Sequence, residues 1–228
     1  DLSRRYTYLP TPFSSEIDTQ TLAVFGQVNR TFSERLSGFI GARLEQRDSE
    51  YSDSAGVAKD FDHNYWTGRL GLSWQYHSDA QLYATLARGA SAGGANAGLL
   101  ASIKALPEQN QNSVAALGVF DEETLLSLEL GWQLDWTQFG LRSRLALFTM
   151  DRDDQQAKGS LVIPRADGST AFIDYTDNAA ASEHRGLEWE LQWRSTRRVA
   201  AELTLGLLDA QFDRYITATG ADLSGRDQ

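Results

Sequence analysis

Glu188 and Glu190 have the residue type and the spacing of a catalytic carboxylate pair. Residues two apart on a β-strand point to the same side at about 7 Å, a separation found between the paired carboxylates of glycosidases. The residues that alternate with them are all Leu or Trp, so acids on the other face are also expected of a strand that lines a polar interior. We interpret the two glutamates as lining residues and predict no catalytic residue.

Asp60, Asp62 and His63 place three possible metal ligands within four positions. Carboxylate and imidazole groups bind divalent metals, so the three could contribute to a metal site. A solvated acidic loop has the same composition, however, and no further ligand can be named. We therefore predict no metal site.

Phosphate binding and hydrolysis also lack their sequence signatures. The glycine-rich run at residues 89–98 is followed by neither Gly-Lys-Ser/Thr nor a G-x-G-x-x-G motif, so we expect its glycines to permit a tight loop instead. No G-x-S-x-G elbow occurs, and His63, His77 and His184 are predicted in turns or loops without a serine partner. We expect no enzymatic activity and no cofactor.

The composition excludes further classes of function. The 228 residues carry 21 basic and 31 acidic side chains, a net charge of −10, and no segment forms the basic surface that nucleic-acid binding requires. The absence of cysteine excludes disulfides and thiolate metal sites. Apolar residues make up 41%, which is typical of a folded protein.

A membrane location is compatible with this composition. No stretch reaches the roughly 18 consecutive apolar residues that a membrane helix needs. The strands of a membrane β-barrel alternate polar and apolar residues, so a mean hydropathy of −0.41 does not distinguish such a barrel from a soluble protein.

The strongest structural signal is a strict period of two over residues 126–136. Such alternation indicates a β-strand with one apolar and one polar face. The apolar positions of this strand are Leu126, Leu128, Leu130, Trp132, Leu134 and Trp136. With weaker or similar patterns elsewhere, we predict eight strands, at residues 21–32, 36–47, 66–76, 81–89, 126–136, 139–150, 187–193 and 199–207.

The connections between these strands alternate in length. Tight turns are predicted at residues 33–35, 77–80, 137–138 and 195–197, and long polar segments at residues 48–61, 90–122 and 152–181. Short turns at one end and long loops at the other are typical of an outer-membrane barrel. The aromatic residues support this pattern: Trp66 lies at one end of its strand, and the others lie close to short turns, namely Trp74, Tyr76, Trp132, Trp136 and Trp193.

The alternative is a soluble antiparallel β-sandwich, in which the apolar faces would be buried in a core. Its strands usually have about 5–6 residues. The strands predicted here have about 9–14, which covers the lipid-facing band of a barrel when they are tilted. The barrel is therefore the preferred fold, and the exposure of the Leu and Trp face distinguishes the two.

Several segments resemble TonB-dependent outer-membrane receptors of the siderophore and iron-complex type. The match runs in order over most of residues 20–215. It consists of AVFG at 23–26, GAR at 41–43, YATLARG at 83–89, GGAN at 93–96, ET at 123–124, ELG at 129–131, DQQ at 154–156, DN at 177–178 and GLE at 186–188. The sequence departs from the family pattern at Ala90, where an aromatic residue is common, and at Glu122, where proline is common.

The resemblance implies an all-β, antiparallel, up-and-down transmembrane β-barrel in the bacterial outer membrane. Members of the family resemble one another in having an N-terminal plug and 22 strands, and no plug is recognisable in this sequence. We therefore expect residues 1–228 to be an internal fragment of about eight strands from a larger barrel. Such a fragment need not close on itself and would have two unpaired edges.

The function implied by the resemblance is TonB-dependent import of a scarce nutrient, with a ferric siderophore as the expected ligand. Cobalamin, haem and glycans are the other ligand classes, and the expected partners are TonB, through the plug, and outer-membrane lipid. The motif residues are expected to define barrel strands, while segments 90–122 and 152–181 are the expected places for ligand contacts. The alternative function is a soluble, secreted binding module for a glycan or peptide.

Overall fold

The computed structural model describes residues 14–106, 108–164, 170–196, 199–217 and 220–227. Eight long strands form one antiparallel sheet in which each strand pairs with the next one along the chain. These strands are β1 (Ser15–Ser33), β2 (Leu36–Asp53), β3 (Ala58–His77), β4 (Ala80–Ser91), β7 (Glu123–Trp136), β8 (Leu141–Pro164), β9 (Thr170–Thr196) and β10 (Val199–Tyr215). The prediction of eight antiparallel strands is confirmed.

The remaining elements lie between β4 and β7. The two-residue strands β5 (Gly94–Ala95) and β6 (Val119–Phe120) pair with each other, and they enclose helices α1 (Ala97–Ser102) and α2 (Glu108–Ala116). A 3₁₀ turn at Ile103–Ala105 joins the helices. Over the ranges that the structure describes, no helix is both long and apolar enough to cross a membrane.

The apolar side chains of the sheet point away from the protein. In β7, Leu126, Leu128 and Leu130 are 42–50% exposed, whereas Gly131, which follows Leu130, is buried on the other face. The same row continues across the sheet, since Leu130 pairs with Ala84 of β4 and with Leu147 of β8. A sandwich would bury this apolar face, so the sandwich prediction is wrong and the barrel wall is confirmed.

The two faces of the sheet follow residue parity. Within the apolar band, even-numbered residues of β1–β4 and β7 and odd-numbered residues of β8–β10 lie on the apolar face, as the pairs Leu82–Trp132 and Trp132–Leu145 show. Parity changes at the 3₁₀ turn Thr137–Phe139, which ends at Gly140 with a φ of 62°. A Cβ at Gly140 would lie 2.0 Å from the Arg194 carbonyl oxygen, so this turn requires glycine.

The strands are longer than predicted, with lengths of 12–27 residues. Segments 48–61 and 152–181 were predicted as loops, and that prediction is wrong, because strands β2, β3, β8 and β9 occupy most of them. Beyond the apolar band a strand no longer has lipid on one side and water on the other, so apolar alternation stops while the backbone hydrogen bonds continue. The tip at residues 165–169 and the predicted turn residue 197 lie outside the described residues.

The outer strands β1 and β10 each have a single neighbour in the sheet. Within the described ranges the eight strands therefore form an open wall, and no pairing closes β10 onto β1. A buried apolar cluster lies between the helices and the N-terminal part of β9. It consists of Leu99, Leu106, Val114, Ile173 and Tyr175.

Candidate functional site

Residues 92–122, which we call the rim segment, fold into a small unit at the end of the sheet opposite the short turns. Their helices pack against β9, where Ile173 and Tyr175 are 7% and 5% exposed. Asp174 between these two residues is exposed. The apolar residues in the N-terminal part of β9 therefore face the rim segment, whereas those nearer the short turns lie on the outward, apolar face of the sheet.

A β-bulge produces this change of direction. The pairing of β8 with β9 shifts between Arg152 and Gln155 and again at Gln156, and Asp154 adopts a φ of 51°. An extra residue in a strand reverses which side chains lie on a given face. On the side of the bulge away from the short turns, the odd-numbered Ile173 and Tyr175 therefore contact the rim segment.

Asn96 joins the rim segment to β9. Its Nδ2 donates hydrogen bonds to the carbonyl oxygens of Leu117 and Thr176, each at 2.7 Å, and its Oδ1 accepts one from the Thr176 backbone N–H at 2.8 Å. The side chain is 8% exposed. Three of the four hydrogen-bonding positions of the side chain are thereby used, which fixes Asn96 and Leu117 of the rim segment on β9.

A second amide, Asn178, holds the other end of the rim segment at the bulge. Its Oδ1 accepts a hydrogen bond from the Asp121 N–H at 2.7 Å, and its Nδ2 donates to the carbonyl oxygens of Asp121 and Asp154. Gln156 Nε2 donates to the carbonyl oxygens of Ala92 and Asp121, each at 3.0 Å. The two amide side chains thus bind Ala92 and Asp121, at the two ends of the rim segment.

Glu123, the first residue of β7, completes this junction. Its Oε1 accepts a hydrogen bond from Arg152 Nε at 2.9 Å, and its Oε2 accepts one from the Gln156 N–H at 2.8 Å. The carboxylate is largely buried, so the ion pair and the backbone donor together compensate its desolvation. Asn96, Glu123, Gln156 and Asn178 all belong to the quoted motifs, so these four residues connect the rim segment to the wall rather than only defining strands.

The rim segment also contacts the tip of β2 and β3. Tyr51 is fully buried and its hydroxyl donates to Asp53 Oδ2 at 3.0 Å, within 3.5 Å of the Ala97 carbonyl oxygen. Lys104 Nζ donates to the Ala55 carbonyl oxygen. The rim segment therefore spans from the β2–β3 tip to the β8–β9 hairpin.

Two groups at this tip have shifted pKa values. Burial, followed by the hydrogen bond to Asp53, raises the pKa of Tyr51 to about 12. Desolvation alone would raise the pKa of Asp53, but hydrogen bonds from Val57, Tyr51 and Ala55 outweigh it and lower that pKa. At neutral pH the tyrosine is a donor and the aspartate is an acceptor, which is the arrangement that their hydrogen bond needs.

His63 is a contact that the sequence did not reveal. Its ring is 4% exposed and lies against Gly93, where a Cβ would come within 2.3 Å of the ring. Nδ1 lies 3.6 Å from Glu122 Oε2. The prediction that His63 and His184 lie in turns or loops is wrong, since β3 contains the former and β9 the latter.

The three possible metal ligands that the sequence analysis considered are not brought together. Asp60 and Asp62 are exposed on the apolar side of β3, whereas His63 is buried on the opposite side, because side chains alternate along a strand. Among the residues that the structure describes, no group of three or more His, Asp or Glu side chains could hold a metal ion.

Glu188 and Glu190 lie on the polar face of β9, as predicted for lining residues. Both are exposed, and Glu190 pairs in register with Arg144 of β8. Neutral and charged side chains bond across the strands of this face, as between Tyr83 and Glu129 at 2.6 Å. The arrangement is that of a hydrated polar wall.

A recess of about 200 Å³ opens beside the rim segment, between the β8–β9 hairpin and the end of β10. Its lining combines two tyrosines with charged and hydroxyl groups, including Lys158, Tyr175, Asp177, Tyr215 and Thr217. Such a lining offers stacking surfaces and hydrogen bonds to a polar ligand. The surface at this end of the wall is therefore suited to recognition.

Comparison with known proteins identifies the family. The sequence model of the family described as TonB dependent receptor-like, beta-barrel matches residues 2–227. Similar solved structures include the ferric yersiniabactin uptake receptor FyuA from Yersinia pestis, with 16% identity and a TM-score of 0.63 over 94% of this chain and 30% of that one.

Two further solved structures have a similar fold. The alcaligin outer-membrane receptor FauA from Bordetella pertussis has 14% identity and a TM-score of 0.57, over 92% of this chain and 32% of that one. The ferric preacinetobactin receptor BauA from Acinetobacter baumannii has 15% identity and a TM-score of 0.59, over 95% and 28%. At these identities the structures show the fold, and the chain spans about 30% of their length.

Proposed function

The chain belongs to the family of TonB-dependent receptor-like β-barrels, and we propose from this premise that it forms part of a receptor for active import of a scarce nutrient, with a ferric siderophore as the ligand. Proteins of this family are located in the outer membrane, as is this chain. The observation that carries the proposal is the exposed apolar face of a wall whose other face is polar and hydrated.

Residues 1–228 are proposed to be eight strands of a wider barrel that also holds a plug. Two features support this: over the residues that the structure describes, both edge strands have a neighbour on one side only, and the similar receptors are about three times as long. Unpaired strand edges are prone to aggregation, so the missing strands would stabilise both β1 and β10. TonB would act on this receptor through the plug.

The proposed ligand surface consists of the rim segment and the β8–β9 hairpin. The rim segment is fixed to the wall at both ends, and long elements on a rigid scaffold are the usual carriers of recognition. FyuA is a ferric yersiniabactin uptake receptor and BauA is a ferric preacinetobactin receptor, and this supports an iron complex as the ligand class. Another similar structure is a copper transporter, OprC, so the experiment must compare metals.

Uptake measurements test the proposal. A strain that lacks the complete gene should fail to accumulate labelled iron from one member of a siderophore panel, and the wild-type gene should restore accumulation. The same uptake should stop when the proton motive force is collapsed, because TonB-dependent transport is energised. Unchanged uptake of every iron complex together with loss of labelled copper would contradict the siderophore proposal and leave the receptor class intact.

Asn178→Ala provides a structural variant for the same assay. It removes two hydrogen bonds to Asp121 of the rim segment and one to Asp154 in the bulge, and we expect weaker ligand capture with an unchanged amount of receptor in the membrane. Gln192→Ala is the matched control, because this residue lies on β9 near the short turns, far from the rim segment.

A further inference from the structure

Arg88 is a cation on the apolar face of the wall. It pairs in register with Gly68 on β3 and Leu126 on β7, and both of these residues lie on that face. Along its own strand the same face carries Leu86 and Ala90. The guanidinium group is therefore surrounded by apolar and small side chains.

Most hydrogen-bonding capacity of this guanidinium is unused within the protein. Arg88 stacks on the ring of Trp66 at 4.5 Å and donates one hydrogen bond to the Trp66 carbonyl oxygen. A guanidinium carries five N–H donors. No carboxylate within the described residues forms an ion pair with it, whereas Arg185, also on the apolar face, donates to Glu183 at 2.8 Å.

The register shows how far the nearest carboxylate on this face is. Asp151 pairs with Leu126, which pairs with Arg88, so two strand spacings of about 5 Å separate them, roughly 10 Å in total. The guanidinium leans the other way, toward Trp66. Gly68 and Ala42 continue the row on that side, so no large side chain covers the group there.

Arg88 lies at the edge of the apolar band that is nearer the rim segment. Trp66 and Trp74 are eight residues apart on β3 and both lie on the apolar face, about half exposed. At about 3.3 Å per residue and with a barrel tilt this spans roughly 20 Å, close to the height of a lipid-facing band. Aromatic residues at the edges of such a band sit at the level of the lipid headgroups.

We propose that Arg88 and Trp66 bind the phosphate group of a membrane lipid headgroup, in the leaflet on the side of the rim segment. A guanidinium matches a phosphate with two parallel N–H donors, and stacking on an indole fixes its plane. The indole leaves the outer edge of the guanidinium free for the lipid. The site rests on the outer-membrane location and is independent of the imported ligand.

Native mass spectrometry of the complete receptor in detergent tests this site. The probe is bisphosphorylated lipid A, and its fully dephosphorylated form is the comparison. Arg88→Gln is expected to lower lipid A occupancy about fivefold, the effect of one Arg near a charged lipid surface. Arg88→Lys should retain part of the occupancy, and Arg185→Gln is the matched control because Arg185 has its own carboxylate partner.

Three results would overturn the proposal. The first is wild-type occupancy in a folded Arg88→Gln protein, with folding checked by the heat-dependent shift in gel mobility. The second is equal binding of dephosphorylated lipid A by the wild type, which needs no variant and so decides the matter even if Arg88→Gln does not fold. The third is equal binding of inorganic phosphate alone, which would make the site one for free anions.

Discussion

Apolar side chains of the same type point outward in the wall and inward in the rim segment. Leu130 in the wall is 50% exposed, whereas Leu99 in the rim segment is fully buried. Leucine is equally apolar in both places, so the surrounding medium must differ. Lipid around the wall and water around the rim segment account for the two directions, because apolar groups leave water in each case.

The polar groups show the same contrast. In the wall, Tyr83 and Glu129 hydrogen-bond on the hydrated face. In the rim segment, Asn96 is buried and its hydrogen bonds hold the backbone of a small water-soluble fold. A single chain therefore contains a membrane part and a globular part, with a β-bulge at Asp154 near their boundary.

Leu99→Ala should have the largest effect in this comparison. A leucine-to-alanine cavity in a closed core costs about 2–5 kcal/mol. We expect amide hydrogen exchange in α1 and α2 to accelerate by at least tenfold while the strands keep their protection. Leu130→Ala is the control and should leave exchange in the rim segment unchanged. Equal loss of protection in wall and rim would show that they do not unfold separately.

Leu130→Arg should have the next largest effect, in the wall. An arginine near the middle of the lipid-facing band costs about 2–4 kcal/mol in a bilayer. Urea unfolding of the complete receptor in lipid vesicles measures this cost. The same substitution at Asn112, which is exposed on α2, should change stability by less than about 0.5 kcal/mol. A negligible cost at Leu130 would contradict its contact with lipid.

The pH dependence of Tyr51 should give the smallest effect. Its pKa rises from 10.0 to about 12 on folding, so the unfolded tip loses its proton first. The stabilisation is complete below pH 10 and declines as the pH rises toward 12. Hydrogen exchange near Tyr51 should therefore increase over this range more in the wild type than in Tyr51→Phe. Identical pH profiles of the two proteins would refute the assignment.

The sequence predicted the wall well and the rim poorly. Alternation in residues 126–136 located β7 almost to its ends, because lipid on one side and water on the other impose a period of two. The extensions of β8 and β9 lie beyond the lipid-facing band, and one side of β9 packs on the rim segment, so they carry no such period. The prediction of loops at 152–181 was wrong for this reason.

The candidate site shows a similar division. The motifs named Asn96, Gln156 and Asn178, but sequence separations of up to 82 residues concealed that they meet at one junction. The sequence named His63 only as a possible metal ligand in a loop and did not identify Tyr51, since the burial of each depends on a segment that lies far away in the chain. Gly93 lies so close to His63 that only a residue without a Cβ fits there, and this glycine belongs to the quoted motif at 93–96.

The sequence by itself determined the strand number, the two faces, the family and the outer-membrane location, because all of these depend on local alternation and on motifs along the chain. The tertiary structure alone decided where the rim segment docks and which side chains hold it. It also placed Arg88 beside Trp66, in an ion pair with none of the carboxylates that the structure describes. These features depend on strand register and on one bulge, where a shift of one residue moves every side chain to the other face.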